Sequence, residues 1–80
     1  MSTSQRKALQ EALDHLGQGD WEAAHKIVQS DESPEGCRVH GIVHVMEGDL
    51  DNARYWYGRA ERAFSEDAAK EIAAVKKTLA

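Results

Sequence analysis

Gly48-Asp49-Leu50-Asp51-Asn52-Ala53-Arg54-Tyr55-Trp56-Tyr57-Gly58-Arg59-Ala60 is a tight turn followed by an aromatic-rich helix. Upstream, Gly19-Asp20-Trp21-Glu22-Ala23-Ala24-His25-Lys26-Ile27-Val28 is a weaker copy of it. From Gly19 to Gly48 is 29 residues. In each copy a glycine can end one helix in the left-handed conformation, and the aspartate after it can cap the next.

Working outward, residues 4–17 place Ala8, Leu9, Ala12, Leu13 and Leu16 at helical spacing. Ser2, Thr3 or Ser4 can cap this first helix, and Gly17 and Gly19 end it. Helix two starts at the Asp20 cap, turns Trp21, Ala24, Ile27 and Val28 inward, and ends at Gln29–Glu32. Ser33-Pro34 opens helix three, with serine capping and proline at a position whose N–H has no intrahelical partner. That helix runs to about Glu47. Its apolar residues Val39, Ile42, Val43, Val45 and Met46 spread around the circumference, which predicts a central helix. Helix four carries Leu50, Ala53, Tyr57, Ala60 and Phe64 on one stripe. Ser65 is the expected cap of helix five, whose stripe is Ala68, Ile72, Val75 and Leu79.

The expected fold is therefore all-α: one domain over residues 1–80, of about five short helices. Two antiparallel helix-turn-helix units are closed by a C-terminal capping helix. Eighty residues bury a limited core, which makes self-association a natural way to bury more. The net charge of −4 disfavours nucleic acid as a partner, because phosphate binding needs clustered Lys and Arg. Residues 1–40 carry 4 basic and 7 acidic side chains, against 6 and 7 in residues 41–80. Arg54, Arg59 and Arg62 thus sit in the nearly neutral half. One cysteine cannot form an internal disulfide, and no apolar run approaches the roughly 20 residues of a membrane span. With no secretory signal pattern at Met1–Lys7, a cytoplasmic protein without membrane contact is expected.

The paired units resemble the tetratricopeptide repeat. Gly41, His44, Gly48, Ala53, Tyr57 and Ala60 fall on that family's spacings, and Ala12, His15, Gly19, Ala24 and Val28 follow them less closely. The resemblance covers residues 5–64. It departs in its period of 29, against about 34 for the family, and in having two units where about three are usual. Histidine also stands where the family has an aromatic in the first helix of each pair. The Gly-Asp-Trp, Ala-His and Asn-Ala-Arg-Tyr-Trp-Tyr strings are in addition similar to small uncharacterised bacterial proteins, a likeness that brings no activity with it. The repeat resemblance implies binding of a protein or peptide, by analogy of fold.

Four histidines stand out. His40 and His44 are four apart on helix three, and Cys37 is three before His40, so the three share one face. They form a candidate metal set, with His15, Asp14 or Glu47 as further donors if the fold brings them near. The competing reading makes the same positions packing residues, since His15 and His44 are equivalent in the two units. A catalytic or substrate-contacting role is the third. In Tyr55-Trp56-Tyr57 the side chains fan out by about 100° each, so all three cannot point inward. Tyr57 lies on the core stripe. Trp56 either reaches the surface with Tyr55 or packs under helix five.

The first helices of such pairs line a concave face, which would expose some of Leu9, Leu13, Ile42, Val45 and Met46. The alternative is that this concavity closes into a core. No phosphate loop, serine nucleophile motif or carboxylate pair supports catalysis. The expectation is a small interaction module that binds a protein segment or a second copy of itself, with no cofactor. Its contacts would be an apolar groove including Ile42 and Met46, and a surface of Arg54, Tyr55, Trp56 and Arg59. The alternative is a metal-binding or small catalytic domain centred on Cys37, His40 and His44.

Overall fold

The computed structural model describes residues 1–80. Five helices follow one another: α1 (Thr3–Gly17), α2 (Trp21–Val28), α3 (Pro34–Glu47), α4 (Leu50–Arg59) and α5 (Ala68–Leu79). There is no strand. None of the helices is long and apolar enough to cross a membrane.

The two bends are built alike. Gly19 and Gly48 both take positive φ, +80° and +92°, which a side chain would resist. The Asp20 N–H donates to the His15 carbonyl, and the Asp49 N–H donates to the His44 carbonyl, both at 2.9 Å. Each aspartate then caps the next helix: Asp20 accepts from the Ala23 N–H and Asp49 from the Asn52 N–H. One side chain thereby satisfies an orphan donor that would otherwise need water. Ser2 and Ser33 cap α1 and α3 in the same way.

From the second bend the chain folds back antiparallel. His40 meets Trp56, and Gly41 lies directly against Tyr57. A methyl group on Gly41 would come within 2.6 Å of the Tyr57 ring, so the absent side chain is what lets α4 approach α3. α3 is the hub. It packs on α1, α2, α4 and α5, and every residue from Gly36 to His44 is buried. Glycine and histidine in its interior make α3 a weak helix alone, and its neighbours supply its stability.

The core comprises Leu9, Ala12, Leu13 and Leu16 of α1, Ala24 and Val28 of α2, Val39, Ile42 and Val43 of α3, Tyr57 of α4, and Val75 and Leu79 of α5. The concave face is closed. Leu9, Leu13 and Ile42 have no exposed surface, because α5 folds over α1 and α3. Ile42, expected along an open groove, is a core residue.

Two local expectations need correction. α4 ends at Arg59, so Phe64 lies beyond it, though its ring still packs edge-on to Tyr57 at 5.6 Å. The cap of α5 is Asp67, which accepts from the Lys70 N–H. Ser65 instead accepts from the Asp67 N–H and shapes the turn before the cap. A buried polar knot fixes α5. Arg38 makes two hydrogen bonds to the Glu71 carboxylate, at 3.1 and 3.0 Å, and the Tyr57 hydroxyl donates to the same carboxylate at 2.8 Å.

Candidate functional site

The side chains that the core does not explain gather where α2, α3 and α4 meet. His40 and His44 are one helical turn apart on α3, so their rings share a face. α2 adds His25 to them. The ring centroids are 4.8 Å apart for His25 and His40, 5.5 Å for His25 and His44, and 5.0 Å for His40 and His44. One nitrogen from each ring lies within 4.8 Å of one nitrogen on each of the others. His40 and His44 are buried, and His25 is half-buried.

Trp56 reaches the cluster from α4, at His40. Its ring stacks on His40 at 3.8 Å with 9° between the planes. Trp56 therefore packs on α3 and not under α5, which α4 does not approach along its backbone. Tyr55 stands edge-on to Trp56 at 5.2 Å and is 55% exposed. The Arg59 guanidinium lies over the Trp56 ring at 5.1 Å and pairs with Glu32 at 3.3 Å.

Electrostatics separate the three rings. Burial pushes the His40 imidazole down to about 4, and the neighbouring His44, His25 and Arg59 push the same way. At neutral pH its ring is therefore uncharged with a free lone pair. The Nδ1 of His40 is sealed from solvent and has no hydrogen-bond partner in the protein. Such an atom is costly unless something binds it. His44 differs. Its Nδ1 lies 2.8 Å from a Glu47 carboxylate oxygen, which fixes that nitrogen as the N–H and leaves Nε2 free.

The structure divides the residues singled out in the sequence. His40 and His44 meet, but Cys37 is not in their group; the third member is His25. Cys37 is buried, and burial pushes its thiol up, toward the protonated form that binds metals poorly. Asp14 pairs with Lys76 at 3.0 Å, and His15 lies 4.0 Å from Asp20, so neither joins the cluster. Glu47 does reach it, through His44.

Tyr55, Trp56 and Arg59 form one surface. Arg54 turns away, over the Phe64 ring at 4.7 Å. Met46 lines a separate shallow apolar cleft with Leu16, Gly17, Ala68, Ala69 and Ile72. His25 is the residue that spacing along the chain could not supply, because it enters from another helix. The signal available was its place in the Ala24-His25 pair, one residue past a core position.

Comparison of the chain with known proteins finds no matching family model, no similar curated protein and no similar solved structure.

Proposed function

We propose that this is a small helical protein-binding module, and that Tyr55, Trp56 and Arg59 are its contact surface. The observation that carries the reading is the exposure of Tyr55 beside a partly buried tryptophan whose ring lies under an arginine. Tyr, Trp and Arg are the side chains that most often anchor protein interfaces. Here they are held on a rigid helix, so binding would order little that is not already ordered. The repeat-like bends at Gly19 and Gly48, and the resemblance they support, favour the same reading by analogy of fold. The occupant is a protein segment, or a second copy of the chain.

A photo-reactive residue in place of Tyr55 tests this, with one at exposed Glu11 on α1 as control. The expected result is a discrete protein adduct from position 55, absent from position 11 and abolished by Arg59→Ala. Sedimentation at several concentrations then tells whether the adduct is a second copy. Equal, diffuse labelling from both positions contradicts the proposal.

A further inference from the structure

We propose that His25, His40 and His44 form a binding site for a divalent ion of the zinc(II) and cobalt(II) class, with Glu47 orienting His44. The site is independent of the docking surface proposed above and would stand if that surface bound nothing.

Three observations carry it. First, three imidazoles from two helices converge, each with a nitrogen within 4.8 Å of the others. Zinc–nitrogen bonds of about 2.0–2.1 Å in a tetrahedral site put ligand nitrogens roughly 3.4 Å apart. Small side-chain rotations close that difference, and His25, half-buried, has room to make them. Second, the Glu47 carboxylate holds Nδ1 of His44, which leaves Nε2 as that ring's free nitrogen. A carboxylate behind a histidine is the arrangement that orients imidazole ligands and raises their basicity. Third, His40 Nδ1 is a buried lone-pair or N–H position with no partner in the protein. Binding an ion through this ring gives its buried polar edge a purpose that packing alone does not.

The donor set selects the ion. Neutral imidazoles suit zinc, cobalt, nickel and copper(II), whereas magnesium and calcium need oxygen ligands that the cluster lacks. Three protein ligands leave one tetrahedral position for water, on the side that half-exposed His25 leaves accessible. Arg59 is the opposing charge, and its pairing with Glu32 at 3.3 Å moderates it.

The test uses the full chain, tag-free and stripped with a chelator, titrated with cobalt(II) and then zinc(II). The proposal expects one equivalent of cobalt to give visible ligand-field absorption of tetrahedral intensity, displaced by zinc. His25→Ala should weaken binding at least tenfold, with helical circular dichroism unchanged because the residue is half-buried. Glu47→Gln should weaken it about tenfold. His15→Ala and Cys37→Ser should leave it unchanged. Absence of binding overturns the proposal. So does binding that survives His25→Ala, or binding lost in Cys37→Ser, which would move the site to the thiol.

Discussion

The ring of His40 lies face to face with Trp56, 3.8 Å away and tilted by 9°. This contact joins α3 to α4 beyond the bend at Gly48 and covers one face of the His40 ring. It predicts that the two neighbouring aromatics behave differently on removal. Trp56→Ala should cost about 2–3 kcal/mol, below the range for a fully buried tryptophan because the ring is only partly covered. Tyr55→Ala, at an exposed position, should change stability by less than about 0.5 kcal/mol. Urea denaturation of the two variants checks the contrast.

A second prediction concerns acid. The fold holds His40 near 4, while the unfolded chain takes up its proton near 6.5. The unfolded state therefore binds more protons between these values. In metal-free protein, stability should be level above pH 6.5 and fall as pH drops toward 4. The slope is at most about 1.4 kcal/mol per pH unit from this one group. Denaturation midpoints in chelator-containing buffers from pH 7.5 to 4.5 measure it, and His40→Asn should flatten the profile.

The knot of Arg38, Tyr57 and Glu71 makes a third. Arg38 is 7% exposed, and its hydrogen bonds hold the Glu71 carboxyl below its usual range. Glu71→Gln leaves a buried guanidinium without its counter-charge and should cost about 3 kcal/mol. Replacing the whole knot with apolar residues, Arg38→Met and Glu71→Leu with Tyr57→Phe so that the buried Tyr57 hydroxyl is not left without an acceptor, should restore much of that loss, since a buried ion pair is weak evidence of net stabilisation. Chemical denaturation of the single and triple variants decides it.

The end of α4 gives a fourth. Glu61 has φ +57°, the only non-glycine residue at positive φ, and the Arg62 N–H donates to the Tyr57 carbonyl across it. This is a glycine position occupied by glutamate. The left-handed conformation costs an ordinary residue about 1–2 kcal/mol, and glycine's extra chain entropy returns part of that. Glu61→Gly should thus stabilise by about 0.5–1 kcal/mol, read as a raised melting temperature.

These sites also mark where reading the chain succeeded and where it stopped. The bends at Gly19 and Gly48, the Asp20 and Asp49 caps and the Ser33-Pro34 start depend on chemistry within four residues, so they are legible in sequence order. The burial of α3 all round follows from the spread of Val39, Ile42 and Val43. His25 beside His40 is set by how α2 crosses α3, which no spacing encodes. Ile42 passed from groove to core because α5 closes the concave face, an outcome decided by long-range packing. Ser65 and Asp67 both have capping chemistry, and only the path of the intervening turn selects Asp67.

The stack of the His40 imidazole on the Trp56 ring is the contact that sets the docking helix against the histidine cluster. Proton NMR of the metal-free protein measures that contact directly. The account predicts His40 ring protons shifted strongly upfield by the indole ring current, with nuclear Overhauser contacts to Trp56 and to His25. A His40 ring with the shifts of His15, which is half-buried outside the cluster, and no contact to Trp56, would contradict it.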